Sequence, residues 1–248
     1  MCQNNSVIII NGKALFWNFP VEIFKSFKEV YILTYIFDAQ VQKYYYDFHD
    51  IKYDYYEVKK NDDVYELNPR NESSDYNIRK LLKGKIHIIE DDDKINNIGD
   101  KYYSLSASWF KNIDNKMLWN VLKNNLINYF NNKNKGRADL RLWCTFKVAE
   151  NNIKGKGYTK NFIPINLRAT NMYSDRNVLA YCCNIFLHPD IEFFFRKRDI
   201  KVSEELYALS EMLQWIWRSA IRNDEEITLY IPSSRMRNLL IGWLNCEE

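Results

Sequence analysis

Short apolar runs alternate with longer amphipathic stretches along the chain, and this alternation predicts strands and helices in turn. Near the N-terminus, "SVIIING" (6–12) and "EVYILTYIF" (29–37) are continuous apolar runs, which are typical of strands buried on both faces. Pro20 lies between them and favours the first turn of a short helix. The pattern predicts a β-α-β unit, followed by a helix over 38–49 and a strand over 51–58.

Residues 59–80 are polar with few apolar positions, and they predict a linker. Beyond it, a strand is expected in 85–93 and an amphipathic helix in 114–132, because Leu118, Leu122 and Leu126 recur at four-residue spacing. The remaining predicted elements are strands over 141–148 and 162–170, a helix over 175–187, a helix over 203–222 with Ser203 as N-cap, a strand over 226–232 and a helix over 234–244.

Alternating strands and helices predict an α/β fold with a mainly parallel sheet flanked by helices. The net charge of +3 is too small to indicate nucleic-acid binding, so such binding must depend on local basic patches. Five cysteines without a C-x-x-C pair favour neither a zinc site nor a disulfide framework, and a reducing cytoplasm fits them. Neither a signal peptide nor a membrane span is expected.

Gln214, Arg218 and Arg222 are spaced four residues apart and would lie on one side of the predicted helix over 203–222. Arginine binds phosphate through two parallel hydrogen bonds, so the row suits a polyanion. The alternative is a solvated face in which Arg218 pairs with Glu211 or Gln214.

Two further stretches, "NIKGKGYTKN" (152–161) and "RATNMYSDR" (168–176), combine basic and polar residues. Basic residues with an interleaved aromatic ring can hold a phosphate backbone and stack a base. The alternative is an ordinary flexible surface loop. The candidate nucleic-acid-binding residues are Lys154, Lys156, Tyr158, Lys160, Arg168, Asn171 and Arg176.

The stretch "YYYDFHDIKYDYY" (44–56) is dense in tyrosine, a residue enriched in protein interfaces. It predicts a surface for a protein partner, whereas the alternative is that these rings pack half-buried. The candidate partner-binding residues are Tyr44, Tyr45, Tyr46, Tyr53, Tyr55 and Tyr56.

The stretch "LYALSEMLQWIWRSAIRNDEEITLYIPSSRMRNLL" resembles the C-terminal part of DEAD/DEAH-type superfamily 2 helicase-like proteins of phages and mobile elements. In those helicases a Gln-x-x-Gly-Arg-x-x-Arg motif supplies arginine fingers. Gln214 and Arg218 keep this spacing, but Trp217 replaces the glycine and Ile221 the second arginine. The resemblance implies a finger-like role for Arg218 and places Arg222 one residue late.

The same resemblance implies a domain plan: residues 1–58 as the remnant of a first RecA-like domain, 59–80 as a linker and 81–248 as a second RecA-like domain. A helicase also needs a G-x-x-x-x-G-K-[ST] loop for the triphosphate and an acidic residue for magnesium. Neither pattern occurs in the sequence, so no cofactor, metal or ATP hydrolysis is expected.

Three hypotheses follow for function. The first is a helicase-like accessory or regulatory factor that binds single-stranded RNA or DNA. The second is an antagonist of a host nucleoprotein defence complex, such as an anti-CRISPR-type inhibitor of an RNA-guided effector. The third is half of a split ATPase, which would need a separate chain bearing the phosphate loop. All three place the protein in the cytoplasm of a bacterial host, away from membranes.

Overall fold

The computed structural model of the protein describes residues 7–10, 14–17, 19–90, 93–134, 136–167 and 171–247. The chain forms two compact units. The small unit comprises Met1–Tyr55 and Leu187–Tyr207, and the sheet unit comprises Tyr56–Phe186 and Ala208–Glu248. This division differs from the predicted one, because the chain returns to the small unit late in the sequence.

The strands of the described ranges are β1 (Val7–Ile10), β2 (Ala14–Trp17), β3 (Tyr56–Asn61), β4 (Val64–Pro69), β5 (Ile86–Ile88), β6 (Arg141–Cys144), β7 (Val178–Tyr181) and β8 (Ile227–Tyr230). The helices are α1 (Val21–Lys25), α2 (Val41–Phe48), α3 (Glu72–Lys83), α4 (Asp93–Asn96), α5 (Ala107–Lys111), α6 (Lys116–Asn128), α7 (Glu150–Ile153), α8 (Pro189–Arg196), α9 (Glu204–Ile216) and α10 (Ser234–Leu244). Short 3-10 turns include Thr159–Asn161 and Ala220–Asn223.

Strands β5 to β8 form a four-stranded sheet in the order β5-β8-β7-β6, and all neighbouring pairs are parallel. Parallel strands need long crossover connections, and the chain between β5 and β6 supplies α4, α5 and α6 as one such connection. The predicted α/β fold with a parallel sheet flanked by helices is therefore confirmed.

Both faces of the sheet are buried along β6 and β7, whereas His87 of the edge strand β5 is exposed. Successive side chains of a strand point to opposite faces, so Trp143 of β6 and Tyr230 of β8 join a core with Leu126 of α6 on one face. On the other face the ring of Tyr181 packs edge-on against Trp215 of α9, with the ring centroids 5.4 Å apart. Strand β7 is a continuous apolar run because neither of its faces meets water.

The helix predicted over 175–187 is wrong. Residues Val178–Tyr181 form β7, the strand between β6 and β8, and Leu179, Ala180 and Tyr181 are fully buried. An apolar run this short fits a buried strand as well as a buried helix, and periodicity alone does not separate them. Pro189, expected to stop a helix, instead occupies the first turn of α8.

The strand predicted over 162–170 is also wrong for the residues that the structure describes. Phe162 makes a single parallel bridge to Trp143, and the amide of Ile163 donates to the Trp143 carbonyl at 3.0 Å. Pro164 follows directly and has no N–H to continue the ladder.

The parallel β-α-β unit predicted at the N-terminus is not formed. Strand β1 pairs antiparallel with β2, and Ile9 is exposed. The run 29–37 is not a strand: it is irregular up to a 3-10 turn at Phe37–Ala39, and the Leu33 side chain is 93% exposed. An apolar run forms a strand only when a neighbouring strand takes its backbone hydrogen bonds. None of the described strands pairs with this run.

Residues 59–80, predicted as a linker, carry regular structure. They contain the end of β3, all of β4 and most of α3, and β3 and β4 form an antiparallel hairpin. Both faces of this hairpin are largely exposed, so its strands lack the alternation of apolar and polar residues that marks a half-buried strand. The many polar residues therefore led to the prediction of a linker.

The predicted amphipathic helices in 114–132 and 234–244 are confirmed as α6 and α10. In α6, Leu122 and Leu126 are buried as expected, whereas Leu118 is exposed. The strands expected in 85–93 and 226–232 are confirmed as β5 and β8. Among the described residues no helix is long and apolar enough to cross a membrane.

The small unit has its own core. The Tyr44 ring of α2 packs 5.6 Å from Phe195 of α8, and its hydroxyl accepts a hydrogen bond from the amide of Ser203 at 3.1 Å. The guanidinium of Arg198 lies 3.8 Å from the centre of the Phe194 ring. Segments about 150 residues apart in sequence, α2 and α8, are thus held together by aromatic packing.

The segments that follow β5 and β8 are joined through Gly99. Its carbonyl accepts hydrogen bonds from the Ser234 amide at 3.1 Å and the Ser234 hydroxyl at 3.0 Å. A Cβ atom on Gly99 would lie 1.8 Å from the Pro232 carbonyl oxygen. Only glycine allows the two backbones to come this close.

We expect Gly99→Ala to lower the free energy of unfolding by about 3 kcal/mol, because the added methyl group must push the two backbones apart. Urea denaturation followed by circular dichroism measures this change. Gly136→Ala is the control, since a methyl group added at Gly136 would have no neighbouring atom within 4 Å, and we expect a change below about 0.5 kcal/mol. Equal stability of the two variants would contradict the close approach at Gly99.

Candidate nucleic-acid interface

The predicted row of Gln214, Arg218 and Arg222 on one helix is not formed, because α9 ends at Ile216. The Ser219 hydroxyl donates to the Ile216 carbonyl at 2.6 Å, and the next amide, that of Ala220, donates at 2.8 Å to the Arg176 carbonyl. The helix ladder is thereby interrupted, and the prediction of a single arginine stripe is wrong.

The three side chains have different surroundings. The amide of Gln214 donates to the Ser210 hydroxyl at 3.2 Å within α9. Arg218 is 7% exposed and its Nη1 lies 3.5 Å from the Ile165 carbonyl oxygen. Arg222 is exposed, so it is the member of the row that presents its charge at the surface.

The 3-10 turn that carries Arg222 docks against the segment before β7. Arg222 Nη1 donates to Asn171 Oδ1, and the Asn223 side chain donates to the Ser174 carbonyl at 3.0 Å. Two separately predicted groups, the arginine row and the stretch containing Asn171 and Arg176, therefore meet at one place. Arg168, also predicted there, lies outside the described residues.

Residues 154–161, which we call the lysine loop, contain three exposed lysines: Lys154, Lys156 and Lys160. They form no ion pair with a carboxylate in the part of the chain that the structure describes, and Lys154 Nζ donates to Asn151 Oδ1 at 2.8 Å. Exposed and unneutralised ammonium groups are available to phosphate oxygens.

The prediction that Tyr158 stacks on a base is wrong. Its ring is 1% exposed and lies between Phe130, at 5.0 Å, and Trp143, at 5.2 Å. Its hydroxyl donates to the Ile153 carbonyl, and burial raises the pKa of that hydroxyl. Tyr158 therefore anchors the lysine loop to the core instead of facing a ligand.

Arg141 fixes the lysine loop to a second basic loop, the one that contains Lys133 and Arg137. Its Nη1 donates to Asn131 Oδ1 and to the Gly157 carbonyl, each at 2.8 Å, and its Nη2 donates to the Gly136 carbonyl at 3.3 Å. The side chain of Asn131 in turn donates to the Lys156 carbonyl at 3.1 Å. Arg141 is 6% exposed, and burial lowers the pKa of its guanidinium.

Gly157 is required at this junction. Its φ angle is +95°, and a Cβ atom there would lie 2.5 Å from Asn131 Oδ1 and 2.9 Å from Arg141 Nη1. A side chain would be strained in this left-handed conformation and would displace the arginine.

These contacts assemble one charged surface in the sheet unit, which we call the basic surface. It comprises Lys133, Arg137, Lys154, Lys156, Lys160, Arg176 and Arg222. Arg137 and Arg176 of this surface each have an acidic neighbour. Asp139 is hydrogen-bonded by Arg137, which lowers the pKa of its carboxyl, and Asp175 lies 3.3 Å from Arg176. Lys154, Lys156, Lys160 and Arg222 form no ion pair with a carboxylate of the described residues, and Arg222 donates to the neutral Asn171 side chain.

Sequence reasoning missed Lys133, Arg137 and Arg141. The run "NNKNKGRAD" (131–139) is visibly basic, but nothing in it indicates that it folds against residues 154–161. That proximity depends on Arg141, whose head group reaches across both loops.

The predicted tyrosine surface is largely internal to the small unit. Tyr44 and Tyr46 are buried, and the hydroxyls of Tyr53 and Tyr55 donate at 2.8 Å to Asp47 and Asp38 respectively. The Tyr45 hydroxyl donates to the Phe19 carbonyl. Tyr44 and Tyr46 therefore offer no area to a partner, whereas Tyr45, Tyr53 and Tyr55 are half-buried, as the alternative expected, and their role in partner binding stays a prediction.

Tyr56 is the exception among the six predicted tyrosines. It is 54% exposed and belongs to strand β3 of the sheet unit.

The basic surface offers ammonium and guanidinium donors, which bind anions without transferring a group. Among the described residues no group of three or more histidine, cysteine, aspartate or glutamate side chains could hold a metal ion. Cys144, Cys182 and Cys183 are fully buried, and burial raises the pKa of each thiol. The basic surface thus offers the kind of donors that bind phosphate and carboxylate oxygens.

A family model described as "YonV C-terminal Rossmann-like domain" matches residues 80–244 of the chain. Over all 248 residues the chain is 47% identical to the SPbeta prophage-derived uncharacterized protein YonV of Bacillus subtilis (strain 168), and it covers 60% of that relative. It thus spans less than two thirds of the relative's length. No solved structure matches the chain. These matches support a phage-derived origin and a Rossmann-like fold, and the predicted kinship with superfamily 2 helicases stays a prediction.

We expect Arg141→Ala to lower the free energy of unfolding by about 2 to 3 kcal/mol, because three oxygen acceptors would lose a charged donor. Urea denaturation of the full chain measures the change. Arg137→Ala is the matched control: its side chain is 77% exposed and paired with Asp139, and we expect a loss below about 1 kcal/mol. A loss at Arg141 no larger than at Arg137 would show that the two loops do not depend on this side chain.

Proposed function

The chain belongs to the family described as YonV C-terminal Rossmann-like domain, and we propose that it binds single-stranded RNA or DNA through its basic surface. In this proposal it acts as an accessory or regulatory factor and does not itself use ATP. The observation that carries the proposal is the loop of three exposed lysines without ion-pair partners among the described residues, held in place by the buried Arg141.

The mode of binding follows from the side chains present. Tyr158 is buried, so the lysine loop contributes no ring for a base to stack on. Affinity then comes from phosphate contacts, which depend strongly on salt and carry no sequence information. We expect dissociation constants on the order of 10⁻⁴ to 10⁻⁶ M at physiological salt, the range of non-specific binding.

The test is a fluorescence polarisation titration of a labelled single-stranded oligonucleotide at several salt concentrations. Replacing Lys154, Lys156 and Lys160 together by alanine removes three phosphate contacts. We expect the slope of log K against log salt to become shallower by about 2, since each contact to a single strand contributes about 0.7. Affinity at low salt should fall by roughly tenfold or more.

The control is a second triple variant, with alanine at Lys80, Lys83 and Lys111. These lysines are also exposed, so the change in net charge is the same. We expect little change in the salt slope. If both triple variants behave alike, affinity reflects overall charge and the basic surface has no special role. A duplex competitor of the same length tests the preference for single strands.

A second candidate function is supported by the hairpin of β3 and β4. Tyr56, Val58, Tyr65 and Leu67 lie on one face of it by register, and each is between 52% and 70% exposed. Within the described residues neither strand has another neighbour. An exposed apolar face with free strand edges is suited to a protein partner.

In this second candidate function, the protein is an antagonist whose β3–β4 hairpin binds a host defence complex, for example an RNA-guided effector. The hairpin takes the place of the tyrosine surface proposed from sequence, with Tyr56 common to both. The split-ATPase alternative and the helicase-derived domain plan stay predictions.

We expect the double variant Tyr65→Ser with Leu67→Ser to lose inhibition of a purified RNA-guided effector while keeping the wild-type affinity for oligonucleotide. The reason is that it removes apolar area without touching the lysine loop. Val64→Ser is the control, because Val64 is 62% exposed but lies on the opposite face of the hairpin. Nuclease assays of the effector measure the effect, and full inhibition by the double variant would remove the hairpin from consideration.

A further inference from the structure

A second arginine, Arg235, is buried at the opposite end of the parallel sheet from Arg141. It lies in the first turn of α10, two residues after the N-cap Ser233, and is 8% exposed. Its Nη1 donates to Asn184 Oδ1 at 2.9 Å and to the Ile185 carbonyl at 2.8 Å. The positive charge is therefore met by neutral oxygens of the segment that follows β7.

The other edge of this guanidinium is unused. Nε and Nη2 of Arg235 are buried and have no hydrogen-bond partner in the part of the chain that the structure describes. No carboxylate of that part forms an ion pair with Arg235. Nε–H and Nη2–H point in the same direction and form the fork that holds two oxygens of one carboxylate or phosphate. A buried charged donor pair without an acceptor is costly, which points to a missing oxyanion.

Asn184 keeps this fork in position. Its Nδ2 donates to the Tyr102 carbonyl at 2.7 Å and to the Ser104 carbonyl at 3.0 Å, so its Oδ1 is directed at Arg235. The guanidinium is thus oriented by a buried network that uses one of its edges and leaves the other open.

Aromatic rings surround the guanidinium. Its carbon lies 4.4 Å from the centre of the Phe186 ring and 5.5 Å from that of Tyr102. Tyr102 also contacts Tyr103 edge-on at 4.9 Å, and the two tyrosines are 48% and 66% exposed. Exposed aromatic rings beside a guanidinium that can donate to phosphate oxygens suit a ligand that combines a planar base with an anionic group.

The location agrees with this chemistry. Arg235 and Asn184 follow the carboxyl ends of β8 and β7, and open parallel sheets bind ligands at that edge. Arg235 is also in the first turn of an 11-residue helix, whose N-terminus favours negative charge.

We propose that Arg235 anchors a second binding site, for a mononucleotide, in which the phosphate occupies the Nε–Nη2 edge and the base stacks on Tyr102. Because Nε and Nη2 are buried in this structure, a side chain beside them must move to admit the phosphate. This site is separate from the basic surface, and its occupancy does not depend on the lysine loop.

Isothermal titration calorimetry of the full chain tests the site with three probes: adenosine 5′-monophosphate, adenosine and inorganic phosphate. We expect the monophosphate to bind at least tenfold more tightly than adenosine. Arg235→Lys should weaken the monophosphate by about tenfold or more, because lysine cannot offer the paired donors. Arg237→Lys is the matched control and should change affinity less than twofold, since Arg237 Nη1 is occupied by the Ile231 carbonyl at 2.8 Å.

Tyr102→Ala keeps the test decisive if Arg235→Lys does not fold, because the Tyr102 side chain is half exposed. We expect it to weaken the monophosphate by about tenfold, as loss of one stacked base does, without weakening inorganic phosphate. The triple lysine variant should bind the monophosphate like the wild type. Absence of binding in the wild type overturns the site, and loss only in the triple lysine variant assigns nucleotide binding to the basic surface.

Discussion

Burial of strands β6 and β7 of the parallel sheet on both faces is the constraint on which the rest of the structure depends. The side chains of Leu142, Trp143 and Cys144 in β6 are fully buried, as are those of Leu179, Ala180 and Tyr181 in β7. Strands enclosed in this way leave no room for charge along their length, because an unpaired buried charge is costly. Charged chemistry is therefore confined to the two ends of the sheet and to the loops that leave it.

Two buried arginines use these ends in different ways. Arg141, the first residue of β6, donates to three oxygens and so fixes two loops that carry lysines on their outer side. Arg235, after the end of β8, donates through Nη1 and leaves the Nε–Nη2 edge without a partner among the described residues. Among the described residues Arg141 lacks a hydrogen-bond partner at its buried Nε, whereas Arg235 lacks one at both Nε and Nη2, the pair that can hold two oxygens of one anion. This difference is the reason for proposing a polyanion surface beside Arg141 and a separate small-anion site at Arg235.

Elements with a contrast between apolar and polar faces were predictable. Helices α6 and α10 and strand β8 followed from periodicity and flanking signals, because each has one side in the core and one in water or a clear turn beside it. Strand β7 was not predictable in this way, since a run buried on every side has no such contrast. The site was predicted in part: Lys154, Lys156 and Lys160 are exposed as expected, whereas Tyr158 and Arg218 are buried by residues distant in sequence.

The sequence by itself determined the α/β class, the amphipathic helices, the lack of a phosphate-binding loop and the presence of a lysine-rich loop. These properties depend on residue types and on spacings within about 20 positions, which the pattern reveals directly. Only the tertiary structure decided which loops meet, which arginines are buried and which donors remain without a partner. Those outcomes depend on contacts between residues far apart in sequence, such as Arg235 and Asn184, which are 51 positions apart. Such a contact stabilises the protein only once folding has brought the two residues together.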